Sequence, residues 1–387
     1  MKNLLPYALA LGLPFFALGQ PIRTTLLQPA GSIRITNDSL LQNYTNITLD
    51  WQLLVDGITK QKGSLPALLL TPGHSRTVRL PLHLPTGYEE AYLSVQYRRL
   101  KKSLAAQQLL IKTWGGDTFI PAAGELSFTD SNDVFTVTSP VLHLHFDKQT
   151  GWMQQYEANH LLLVADTNGL RPALANPPHL QLFSTSTGSQ MVIVRAEYTL
   201  PDISCLLHLS YTINAAGAML VEQTMETDTT RQDSTAHQID RFGMDWILPP
   251  GPDSIAWYGL TADNQDTIPS IHYEHPFPAS GQGPHTIPPT VMTRWWAIVG
   301  SDGKGFQLTA DSNFLRLYST GAQLHIDASP FPRPSPGLHY HQAFKVTPIT
   351  PAPPPATPTI HPTPTIRPAA THPTAAHPAA PKKNAHP

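Results

Sequence analysis

Alternation of apolar and polar residues with a period of two runs through the middle of this chain, and that period dictates strands rather than helices. Leu49, Trp51, Leu53 and Val55 alternate with Thr48, Asp50 and Gln52, and Asp56-Gly57 then supplies a turn that hairpins favour. Leu93, Val95 and Tyr97 repeat the pattern against Ser94 and Gln96. Leu142, Leu144 and Phe146 alternate with His143 and His145, closed by Gln149, Thr150 and Gly151. Leu207, Leu209, Tyr211 and Ile213 do the same against His208, Ser210 and Thr212. No comparable stretch shows sustained helical spacing. Short strands separated by Gly, Pro, Asn and Asp clusters imply an all-β chain built of β-sandwiches.

A loop-like stretch, Gly115, Gly116, Pro121, Ala122, Ala123 and Gly124, lies between Trp114 and Ser127. It divides the body into segments 32–120 and 127–347, of about 100 and about 220 residues. The first suits an immunoglobulin-like β-sandwich and the second needs a larger pair of sheets. The ends differ in composition. Residues 1–19 carry Lys2, an apolar run from Leu4 to Leu18 and small residues at Ala17 and Gly19, the layout of a secretory signal cut after Gly19. From 348 to 387, 13 of the last 40 residues are proline and none is acidic, which predicts a disordered, partly polyproline tail.

Only 13% of residues are charged, and 25 Lys and Arg against 27 Asp and Glu leave a nearly neutral chain. Electrostatic capture of nucleic acid is therefore not expected. No stretch after the signal approaches the ~18 apolar residues of a membrane helix, so export to the periplasm or outside the cell is the expected localisation. The single cysteine, Cys205, cannot form an internal disulfide and reads as a small core residue.

Several segments resemble a known family, in the family's own order. Asn46 to Gly57 (NITLDWQLLVDG) and Arg76 to Pro81 (RTVRLP) resemble the immunoglobulin-like domain that follows the catalytic barrel in glycoside hydrolase family 2 β-galactosidases. Phe135 to Tyr156, Arg241 to Leu248 (RFGMDWIL), Trp257-Tyr258-Gly259 and Thr293 to Phe306 (TRWWAIVGSDGKGF) resemble their terminal small-chain domain. The resemblance implies an immunoglobulin-like β-sandwich followed by a β-supersandwich of the galactose-mutarotase-like kind.

For chemistry the resemblance implies mostly a loss. The two glutamates that cut the sugar belong to a barrel of about 250 residues, and these residues leave no room for one. The loops with which the small-chain domain serves the sugar pocket are eroded. The family's Arg-Ala-Pro-x-Asp-Asn-Asp segment appears as Arg171 to Pro177, keeping Arg171 and Asn176 but neither acid. The Gly-x-Gly-Pro-x-Glu-Asn-Tyr turn keeps only Gly259 in the stretch to Asp266. Leu324 to Asp327 match, but Ala328, Ser329 and Pro330 replace the tryptophan loop, leaving Phe331 as the nearest aromatic. Arg171, Asn176, Arg294, Trp295 and Trp296 are thus the candidate carbohydrate-binding residues.

His143 with His145, and His339 with His341, stand two apart, a spacing that can hold a metal. No nearby acid or cysteine completes a set, so solvent-facing histidines are expected, with neither metal nor cofactor. No Gly-x-Ser-x-Gly elbow occurs. The expected function is an exported, non-catalytic β-galactosidase relative that binds a galactoside or polysaccharide, or acts as an interaction module. The alternative is the small subunit of a two-chain β-galactosidase whose barrel chain is separately encoded.

Overall fold

The computed structural model describes residues 21–28, 31–115, 119–164, 170–174, 177–227, 241–247, 254–261, 269–274, 289–300, 302–311, 313–320, 323–329 and 339–350. The expected signal at 1–19, Asn176, Phe331 and all of the expected tail after Thr350 lie outside the described residues. The chain is all-β, and its one helical element among the described residues is the 3-10 turn Pro201–Ile203.

Toward the N-terminus a pair of sheets face each other. One contains Ile22–Leu27, Ser32–Asn37 and Ser75–Arg79; the other runs Ile58–Leu70, Tyr44–Val55, Ala91–Arg99, Lys102–Lys112. The alternating residues Leu49, Trp51, Leu53, Val55, Leu93, Val95 and Tyr97 are all buried. The first strand starts at Ile22, ten residues ahead of the expected start at 32. Its inward face escapes hydropathy because it carries Thr24, whose hydroxyl bonds the Tyr97 hydroxyl at 2.7 Å and whose N–H donates to Gln107 Oε1 at 2.6 Å. A polar residue satisfied inside a sandwich breaks the apolar rhythm without breaking the strand.

The C-terminal region pairs a five-stranded antiparallel meander, Ser127–Asp130 to Leu161–Val164, with a much longer antiparallel sheet. Along its main path that sheet runs Arg171–Pro172, Gly243–Ile247, Gln323–Ser329, Phe314–Thr320, Thr290–Val299, Gly305–Ala310, Tyr340–Ile349, Met219–Thr227, Cys205–Asn214, Met191–Leu200, His179–Thr187. Ser254–Thr261 and Ser270–Glu274 branch from Thr290–Val299. The meander and the long sheet share one core. Phe146 of the meander lies 5.2 Å from Tyr211, and Trp246 stacks on Phe306 at 4.4 Å. Cys205 is only half-buried against this core, its thiol donating to the Ile203 carbonyl at 3.3 Å. Pro348 and Ile349, expected in the tail, instead pair with Phe306 and Gly305. Proline is tolerated there because only alternate N–H groups of a strand face a given neighbour.

The N-terminal and C-terminal regions meet at a buried ion pair. Arg294 donates through Nε and Nη2 to the Glu90 carboxylate at 3.0 and 2.8 Å, and the two side chains are 2% and 1% exposed. Tyr92 donates to Glu90 at 2.8 Å, and Tyr258 donates to its other oxygen. Burial, reinforced by Glu90, holds both tyrosine hydroxyls above their ordinary range, so they remain donors. Arg294 Nη1 donates to the Met292 carbonyl at 2.6 Å, and its guanidinium lies 4.1 Å over Phe314. Every polar atom of the pair is used. Asp56 organises the other side, its carboxylate accepting the N–H groups of Glu89 and Glu90 at 3.1 and 2.8 Å. Gly57 beside it has φ +79°, and a Cβ there would lie 2.8 Å from the Tyr258 ring. Trp114 seals the rim, its indole N–H shared between the Ala310 and Asp311 carbonyls.

Removing one partner strands a buried charge, which costs about 3–5 kcal/mol, whereas removing both avoids that penalty. Arg294→Met is therefore expected to lower stability to urea by that amount. Glu90→Leu combined with Arg294→Met should cost less than Arg294→Met alone, and equal losses would contradict a stranded charge. Gly57→Ala combines left-handed strain with overpacking of about 1–3 kcal/mol. It should destabilise more than Gly73→Ala, where φ is +69° but a Cβ meets open space.

Candidate functional site

The four candidate residues that are described, Arg171, Arg294, Trp295 and Trp296, do not form one cluster. Arg294, Trp295 and Trp296 share the strand Thr290–Val299. Arg294 is committed to Glu90. Trp296 is fully buried in the core of the larger, C-terminal region, and Trp295 packs half-buried beside Trp114, Tyr258 and Phe314 at the junction. Arg171 sits four strands away in the same sheet, roughly 19 Å at ~4.8 Å per strand. It is half-buried on the short strand Arg171–Pro172.

Arg171 instead belongs to a polar surface assembled from four segments. In register across adjacent strands stand Arg171, Asp245, His325 and Tyr318. Residues directly opposite in antiparallel strands share a face. The intervening Met244, Trp246, Leu324, Ile326 and Leu317 fill the core on the other face. The next row holds Gly243, Asp327 and Arg316. Gly243 is required there, because a Cβ would lie 2.5 Å from Asp327 Oδ1 and closer still to the Ile326 carbonyl oxygen.

Arg241, just before the strand Gly243–Ile247, ties the rows together. It donates through Nε and Nη2 to Asp327 Oδ1 at 2.9 and 2.6 Å and through Nη1 to Asp245 Oδ1 at 2.7 Å. His325 Nδ1 lies 2.8 Å from the same Asp245 oxygen, and its Nε2 lies 3.2 Å from the Thr320 hydroxyl. A carboxylate only accepts, so an Nδ1–H is assigned as the donor to Asp245, while Arg241 Nη1 lies 3.0 Å from the same nitrogen. Tyr318 stacks on His325 at 4.5 Å, with the Arg316 guanidinium 5.0 Å over its ring.

Burial raises the Asp327 pKa, and Arg241 only partly offsets it. Burial lowers Arg241, but the Asp327 and Asp245 carboxylates outweigh it and leave its pKa raised. The folded chain thus holds the Asp327 proton more tightly than the unfolded one. That group's contribution to stability is full below the ordinary Asp value and fades as pH rises through its folded value.

The result is a fixed set of charge-assisted donors and acceptors beside an aromatic ring, suited to recognising hydroxyl groups. Its centre, Arg241, Asp245, His325 and Asp327, was matched in the sequence only as family pattern. A usable signal was there: Arg241 and Asp245 alternate with Phe242, Met244 and Trp246, and His325 and Asp327 alternate with Leu324 and Ile326, all of these apolar residues buried. In a chain so poor in charge, that concentrates charge on one sheet face.

Residues 33–109 match the family model described as β-galactosidase, domain 4, and residues 138–264 match the model described as β-galactosidase small chain. A β-galactosidase of Priestia megaterium (strain DSM 319 / IMG 1521) is 22% identical over 275 residues, covering 62% of this chain and 26% of that protein. The chain thus spans about a quarter of the length of this curated relative. Among solved structures, galactose 1-epimerase from Lactobacillus acidophilus NCFM aligns with TM-score 0.37 and 9% identity over 58% of this chain and 99% of its own. A family 36 α-galactosidase from Geobacillus stearothermophilus aligns with TM-score 0.30 and 7% identity over 58% and 40%. Two consecutive matches, in the order domain 4 and then small chain, show that the chain carries these two β-galactosidase domains, consistent with the C-terminal part of a glycoside hydrolase family 2 β-galactosidase.

Proposed function

We propose that this chain acts as an exported, non-catalytic carbohydrate-binding module of β-galactosidase descent, and that the polar face around Asp245 and His325 receives a galactoside or polysaccharide. The observation that carries this reading is the cross-strand row Arg171, Asp245, His325 and Tyr318, held by Arg241. Binding rather than cleavage fits the carboxylates. A glycosidase needs one free to give a proton and one free to attack or activate water. Asp245 and Asp327 are both bonded to one guanidinium.

A second reading draws support from the Glu90–Arg294 junction. It fastens domain 4 to the small-chain domain as one piece, the form a small subunit would need to complete a separately encoded barrel chain. Hydrolysis of a nitrophenyl galactoside that appears only on mixing such chains would favour this second reading.

Calorimetric titration of the full chain with galactosides and polysaccharides is expected to give saturable heats. Asp245→Ala and His325→Ala should each weaken the tightest ligand by about tenfold or more, the scale of a charge-assisted hydrogen bond. Flat heats across the panel, or binding unchanged in both variants, would overturn the assignment. Affinity should also fall as pH drops through the raised Asp327 value, where Arg241 loses its buried counter-charge. Asp327→Asn should remove that pH dependence.

A further inference from the structure

We propose that His143 and His145 form a binding site for a divalent transition metal on the outer face of the five-stranded meander, with copper(II) the ion held most tightly. Both lie on the strand Leu142–Asp147, whose period of two sets them on one face while Leu142, Leu144 and Phe146 are fixed in the core on the other. The strand is the middle one of its sheet, paired on both sides. Its backbone is therefore held before any ligand arrives. Pairing with Met153–Ala158 shifts register between His145 and Phe146. Such bulges re-aim side chains.

On that face the two imidazoles approach closely. The two Nε2 atoms are 3.2 Å apart, with ring centroids 4.5 Å apart and planes at 71°. Two imidazole nitrogens bound at 2.0–2.1 Å to one ion are separated by about 3.4 Å at a tetrahedral angle and about 2.9 Å at a right angle. The observed spacing falls between those values. Without metal, one Nε2–H donates to the lone pair of the other. Binding needs only that this proton move to Nδ1 of its own ring, so neutral rings exchange one hydrogen bond for two metal bonds with no net proton change.

The cross-strand neighbours suit a cation. Glu157 and Thr138 stand opposite His143, and Gln155 and Thr136 stand opposite His145. The face thus carries one acid and no lysine or arginine at these positions. No group of three or more His, Cys, Asp or Glu placed to hold a metal occurs among the described residues. The site is therefore a two-imidazole chelate, its remaining positions left to water. Imidazole donors suit copper, nickel and zinc, and the Irving–Williams order places copper(II) first. This site lies on a different sheet from the proposed carbohydrate face and does not depend on it.

The test is copper(II) titration of the full chain against a glycine competitor, read by electron paramagnetic resonance and compared with His143→Ala/His145→Ala. The histidines of the proline-rich C-terminal segment are common to both proteins and give a shared background. Wild type is expected to bind one more equivalent than the double variant, with the splitting of two nitrogen ligands. His143→Ala alone should weaken that equivalent by about tenfold or more. His143→Gln/His145→Gln, which keeps the face polar, guards against misfolding, with circular dichroism as the check. Equal stoichiometry and identical spectra in wild type and both double variants would overturn the proposal.

Discussion

The Glu90–Arg294 pair sets the terms for the rest of the molecule. Two charges removed from water repay that cost only when geometry is excellent and every remaining polar atom has a partner. Here both conditions hold. The carboxylate accepts from Arg294, Tyr92 and Tyr258, and the remaining guanidinium nitrogen reaches a backbone carbonyl. The pair therefore tolerates little displacement, and the domains dock in one register. The hairpin turn at Asp56-Gly57 shares that task, since Asp56 caps the Glu89-Glu90 backbone while Gly57 lets Tyr258 approach closely.

The second charge cluster follows a different logic. Arg241 and Asp245 have side chains 26% and 14% exposed, so they keep some of their hydration, as the proposed ligand face requires. Only Asp327 is deeply buried, and it serves as the fixed end of the network. The face exists because the sheet lays segments near residues 171, 245, 318 and 325 side by side. None of these segments could form it alone. One cluster is sealed between domains and the other remains partly exposed.

The strands were readable because burial follows a local period. Leu49 to Val55 and Leu142 to Phe146 announce their faces within six or seven residues, and the family segments fixed their order. The strand Ile22–Leu27 was not readable, because Thr24 is satisfied by Tyr97, seventy-three residues away. The same limit applies to the site. Arg171 was singled out, but its row partners Asp245, His325 and Tyr318 are set by strand order, which no local pattern encodes. Asp56-Gly57 was readable as a turn but not as an anchor for Glu90.

Trp295 and Trp296 show where local reasoning stops. Adjacent residues on a strand point to opposite faces, so either of the two could stand as a candidate for sugar stacking. They do point to opposite faces: Trp296 enters the core, and Trp295 faces away from it. In a chain whose domains pack together, however, the outer face of a strand can be an inner face of the assembly. Trp295 meets Trp114 and Tyr258 there, next to Arg294 and its ion pair. An aromatic pair beside an arginine resembles a sugar platform in sequence. A domain junction uses the same residues, because it too must cover a desolvated charge with flat apolar surface. What separates the two cases is the position of one distant carboxylate, Glu90.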